Sequence, residues 1–153
     1  MADGTQPNDG ESPVIVGLSD AAMHMYSSAI ESLPDPGDEE FSGRAAVILA
    51  GLRKLESALS EGAARSRTTP AVIVALSTVR SRYDDLMATA AHSPGATLGQ
   101  RLYIARGRAK LSPKEAANGI GMRADLIKAV EVEETATDDE AARIKELIAA
   151  LGG

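Results

Sequence analysis

Apolar residues recur at helical intervals over most of the chain. Met23, Tyr26, Ile30 and Leu33 fall at i, i+3, i+7 and i+10, one face of a helix that Ser19 caps and Pro34 ends. The acidic, turn-rich PDPGDEE stretch (34–40) follows. Ile48, Leu52, Leu55 and Leu59 form the next stripe, predicting a helix over 42–61 with Gly62 just beyond its end. Thr69-Pro70, a cap followed by proline at the first helical position, opens a third helix reaching Ala91. Its apolar positions are Val72, Leu76, Val79, Tyr83 and Leu86, and His92-Ser93-Pro94-Gly95 breaks it. Ahead of these, residues 1–18 hold Val14-Ile15-Val16 as their one apolar island and read as a flexible tail.

Residues 19–96 are therefore expected to form a helical hairpin or small bundle, with seams of period near 3.5. Val47, Leu49, Ile73, Val74 and Met87 lie off those seams. A second apolar stripe on such helices needs a cover, from the rest of the chain or from a second copy. The expectation is a homodimer held through residues 19–96, with a protein partner as the other possibility.

From Thr97 onward the elements shorten. Thr97 caps a helix over 98–109, and Ser112-Pro113-Lys114-Glu115 is a capping box opening a short helix that ends near Asn118-Gly119. Gly121 marks a tight turn before a helix over 123–132. Thr137-Asp138-Asp139-Glu140 is another capping box, with acids against the positive end of a last helix to Leu151. Two short helices joined by a glycine-containing turn, flanked by longer ones, carry the helix-turn-helix signature.

Composition narrows the chemistry. The 153 residues hold no cysteine, which excludes disulfides, thiolate catalysis and cysteine-ligated metal sites. Abundant alanine and leucine, with aromatics at 3%, favour helix over strand, so the fold class is all-α. No apolar run is long enough to span a bilayer, and MADGTQPNDGESP lacks the basic and apolar regions of a signal peptide. A cytoplasmic protein without membrane attachment is expected. His24 and His92 have no second ligand at metal spacing and no nucleophile nearby, and no phosphate-binding loop is present. No catalytic residue, metal or cofactor is therefore assigned. The net charge of −6 conceals a local balance of +5 over residues 97–128, which leaves a nucleic-acid partner open.

The stretch LGQRLYIARGRAKLSPKEAANGIGMRADLIKAVE (98–131) resembles the lambda-repressor-like, XRE/Cro-type family of helix-turn-helix DNA-binding domains. Leu111, Ser112, Glu115, Ala116, Ala117, Gly121, Ile127, Val130 and Glu131 stand at that family's characteristic places. The resemblance covers residues 98–153, and residues 1–97 resemble no family in this way. It implies a four-helix DNA-binding domain over 97–153 with Leu98, Leu102, Leu111, Ala116, Ile120, Met122, Ile127, Val130, Ile144, Leu147 and Ile148 in its core. It further implies that Arg106 pairs with Glu131, tying the first helix to the end of the recognition helix.

The family's docking mode puts the start of the recognition helix into the major groove of double-stranded DNA. Ala124, Asp125, Lys128 and Ala129 then match base-reading positions, with Arg123 beside them, while Ser112, Lys114 and Arg101 match phosphate contacts. Three positions depart from the pattern. Lys110 replaces a glycine, so a left-handed turn there would carry a side-chain penalty. Pro113 replaces a polar residue, and Val132-Glu133-Glu134 brings acids near the expected phosphate path. The implied function is a sequence-specific transcriptional regulator, dimeric and nucleoid-associated when bound to DNA. The alternative is a non-enzymatic interaction module, antitoxin-like or scaffolding, that uses the same fold to bind a protein.

Overall fold

Thr69 shows how local sequence starts these helices. Its hydroxyl accepts from the Val72 amide at 3.4 Å, and Pro70 takes the first helical position, where no amide donor is needed. The computed structural model describes residues 11–65 and 69–153, and those residues form seven helices and no strand. They are α1 (Glu11–Glu31), α2 (Phe41–Arg65), α3 (Pro70–Ala91), α4 (Leu98–Ala109), α5 (Pro113–Gly119), α6 (Leu126–Glu131) and α7 (Asp138–Ala150). The fold is all-α. Among the described residues no helix is long and apolar enough to cross a membrane.

The described residues divide into two compact units, the first within 11–35 and 43–86, the second 36–42 with 87–153. The second therefore takes in the end of α3 and the following loop, ten residues ahead of the boundary expected at Thr97.

In the first unit the seams face inward: Met23, Ile48, Leu52, Leu59, Val72, Leu76, Val79 and Leu86 are buried. Leu55, Tyr26 and Ile30 are half-buried. Tyr83 receives a 2.9 Å hydrogen bond from Arg53 Nη1, and the guanidinium lies 5.8 Å from its ring centre. Tyr26 lies against Gly51, where a Cβ would come within 2.6 Å of the ring. The residues off the seams separate. Leu49 and Met87 are buried, so neither belongs to an uncovered stripe, whereas Val47, Ile73 and Val74 stay 73%, 53% and 63% exposed.

Two expectations about the N-terminal region change. Residues 1–10 of the expected tail lie outside the described residues, but 11–18 are helical and Ser19 is buried inside α1 instead of capping it. The reason is a surface for the apolar island: Ile15 Cδ1 would stand 2.8 Å from a Cβ at Gly62. The missing side chain at Gly62 thus lets α1 approach, and α2 runs through this glycine to Arg65 instead of stopping before it.

In the second unit α4 packs on α6 and α7, and α5 packs on α6. Leu102, Ala105, Ala116, Ala117, Leu126, Ile127, Val130, Ile144 and Ile148 form its buried core, with Leu98, Ile120, Met122 and Leu147 partly buried against it. Leu111 is half-buried. Thr97, Ser112 and Thr137 each cap a helix through a complete capping box. The helix expected over 123–132 is shorter, because Arg123–Leu126 closes as a turn (Leu126 N to Arg123 O, 3.1 Å) and α6 begins only at Leu126.

Candidate nucleic-acid interface

Two backbone positions shape this surface. Gly121 adopts φ +66° and reverses the chain between α5 and α6, a conformation in which a side chain is strained. Lys110 adopts φ 58°, ψ 37°, and its amide donates to the Arg106 and Gly107 carbonyls. The left-handed C-cap expected there therefore forms with lysine in place of glycine.

The end of α6 is held against the start of α4. Gly99 meets the Val130 carbonyl so closely that any Cβ would collide with it. Glu133, in the left-handed region at φ 68°, accepts from the Thr97 hydroxyl at 2.7 Å. Its carboxylate thus sits at the positive end of α4.

Arg106 and Glu131 meet through two hydrogen bonds, Nε to Oε2 at 2.7 Å and Nη2 to Oε1 at 2.8 Å. The remaining Nη1 donates to the Leu111 carbonyl at 2.9 Å, and Tyr103 lies under the guanidinium at 5.5 Å. One arginine thereby joins α4, the α4–α5 turn and the end of α6. The Glu131 hydrogen bonds raise the Arg106 pKa above its ordinary value against the opposing effect of burial.

On the outer surface, Ser112, Lys114, Glu115, Asn118, Met122 and Ala124 line an open cleft of about 400 Å³. Ser112 is committed to the α5 cap, accepting from Glu115 N at 3.1 Å while its own amide donates to Glu115 Oε1 at 2.8 Å. Hydrogen bonds to the carboxyl, from the Ser112 amide first and the Ser112 side chain second, hold Glu115 below its ordinary pKa. Arg101, Lys114, Asp125 and Lys128 are exposed and Ala129 is half-buried. Among the described residues no ion pair engages Arg101, Lys114 or Lys128.

Arg123, Ala124 and Asp125 occupy the turn before α6 instead of its first helical turn, and Asp125 is the N-cap residue without a side-chain cap bond. Arg123 is paired. Its Nε donates to Glu140 Oε2 at 3.2 Å, and its Nη1 lies 3.1 Å from Asp125 Oδ1. The Glu140 and Asp125 hydrogen bonds raise the Arg123 pKa. Glu140 is held below its ordinary pKa first by the Thr137 amide and then by Arg123. Glu140 was not among the site residues read from the sequence. Its capping box was legible there, but nothing at a separation of 17 residues marks it as the partner of Arg123.

His92 has Nδ1 2.7 Å from the Ala88 carbonyl and Nε2 3.2 Å from Arg108 Nη2. No group of three metal-ligating side chains occurs among the described residues.

Against known proteins, residues 26–97 match the family described as MSMEG_6518_N, N-terminal domain. An uncharacterized protein of Mycolicibacterium smegmatis (strain ATCC 700084 / mc(2)155) is 69% identical over 129 residues, covering 84% of this chain and 100% of that protein. The chain belongs to the same family as that protein. The matched segment runs from within α1 to Thr97, the N-cap of α4, so the surface formed by α4–α7 lies beyond it. No solved structure matches the chain.

Proposed function

We propose that this protein is a sequence-specific, double-stranded-DNA-binding transcriptional regulator of the XRE/Cro type, acting in the cytoplasm on the nucleoid. The observation that carries this reading is the α5–Gly121–α6 pair with Lys114 and Lys128 exposed and, among the described residues, outside any ion pair. The local balance of +5 over residues 97–128 supports it, because neutralised phosphates supply much of the affinity for a duplex. Lys114, Ser112 and Arg101 then contact phosphates, and Lys128 reaches a base from α6. Exposed Val47, Ile73 and Val74 support a homodimer formed through residues 19–96. Its two recognition helices would be spaced about 34 Å apart, reading an inverted repeat one turn in spacing.

A second reading has its own support. The alanines at 124 and 129 have no side-chain group that could hydrogen-bond a base. This favours a non-enzymatic interaction module that meets an acidic protein partner with the same face. Titration of the full-length chain with its gene's own upstream DNA and with random duplex, at two salt concentrations, separates the readings. A regulator prefers its own DNA, with an affinity that falls steeply as salt rises. An interaction module binds neither duplex.

A further inference from the structure

We infer that Arg123 is a guanine-reading residue whose guanidinium is set in place by two positioning carboxylates, Glu140 and Asp125. The inference rests on the DNA-binding reading above and assigns that surface one specificity-determining side chain. Arginine carries five N–H donors in a planar fork. Here Nε is taken by Glu140 and one Nη1 donor by Asp125, while among the described residues nothing engages Nη2. Nη2 therefore keeps both of its donors and Nη1 keeps one, enough to serve the guanine O6 and N7 acceptors in the major groove. The side chain is 47% exposed, at the entrance to α6.

Exposed ion pairs ordinarily position little, since two long side chains must both be immobilised. This one differs because its acid is already fixed. Glu140 Oε1 accepts from the Thr137 amide at 2.9 Å, and Thr137 Oγ1 accepts from the Glu140 amide at 3.1 Å, so the α7 capping box holds the carboxylate before Arg123 reaches it. Asp125 sits at the α6 N-cap, two residues from Arg123. The raised Arg123 and lowered Glu140 pKa values agree with a persistent contact. Lysine at this place would be a point charge with no fork to orient.

The cluster of two carboxylates and one guanidinium carries a net negative charge. It repels phosphates generally, so it lowers affinity for every duplex while sharpening the choice of one base. That combination yields a signature that a merely structural ion pair would not show. Glu140→Gln is the informative variant, because glutamine preserves the capping box while removing the charge.

The experiment selects binding sites from a random duplex library with the full-length chain, followed by titrations at low and high salt. Circular dichroism checks that each variant is folded. Wild type is expected to prefer guanine at one position of each half-site by about tenfold. Arg123→Ala and Arg123→Lys lose that preference and keep the others. Glu140→Gln and Asp125→Asn weaken the same preference while binding random duplex more tightly at low salt. Sequence-selective binding by Arg123→Ala with unchanged base preferences overturns this inference alone. A sharper guanine preference in Glu140→Gln also overturns it, since the carboxylate would then be withholding Arg123 from DNA. Absence of salt-dependent duplex binding by wild type overturns the regulator reading and this inference with it.

Discussion

Arg106 and Glu131 bind each other through two nearly equal hydrogen bonds of 2.7 and 2.8 Å, with side chains only 16% and 6% exposed. Burial at this depth turns the pair into a constraint: either charge left alone in that site is poorly solvated. Glu131→Ala is expected to lower the unfolding free energy by about 3 kcal/mol in chemical denaturation. The double change Arg106→Met with Glu131→Leu removes both charges and should cost much less. If Glu131→Ala costs under about 0.5 kcal/mol, the pair behaves as a solvated surface contact.

Two glycines of α4 should respond in opposite directions to alanine. Gly107 has open space around its missing Cβ, so Gly107→Ala should stabilise by about 0.5–1 kcal/mol through helix propensity. Gly99 abuts the Val130 carbonyl, and Gly99→Ala should destabilise by about 1–3 kcal/mol as α4 is pushed off α6. Equal thermal shifts of the same sign would contradict this packing.

Lys110 occupies the left-handed region, which L side chains enter at a cost of roughly 1–2 kcal/mol. Lys110→Gly removes the steric penalty, although glycine loses more entropy on folding. A net gain of about 0.5–1 kcal/mol is expected, read as a higher denaturation midpoint. A loss would mean that the lysine stem contributes packing beyond its strained backbone.

Acid should unfasten the caps of α5 and α7. Glu115 and Glu140 titrate below their ordinary 4.5 in the folded chain, so the stability they contribute is fully present above that pH. It is lost as pH falls through the lower folded values. Denaturation measured from neutral pH downward should therefore show stability dropping below about 4.5, and a Glu115→Gln, Glu140→Gln variant should flatten the drop. An unchanged slope in that variant would assign the acid sensitivity to other carboxylates.

For the proposed dimer, the side chain to change is Val74, which is 63% exposed beside Ile73 on α3. Val74→Glu should convert the full-length chain to a monomer in light scattering without altering its helix content. A mass unchanged from wild type would remove this surface from the interface.

The sequence by itself determined the helices and most of their ends. Capping boxes at Thr97, Ser112 and Thr137 are local in the chain, and the seams through Leu52 and Val79 follow from helical period, so both can be read without knowing what packs where. The Arg106–Glu131 pair was likewise legible, though through resemblance to a known pattern and not through spacing. Tertiary structure decided what local rules leave open. Ile15 finding Gly62 makes residues 11–18 helical, and burial takes Leu49 and Met87 out of the uncovered stripe. The Arg123–Glu140 contact arises only when α6 and α7 pack on one core. Each of these depends on residues distant in the chain, whose encounter is set by packing and carries no periodic mark in the sequence.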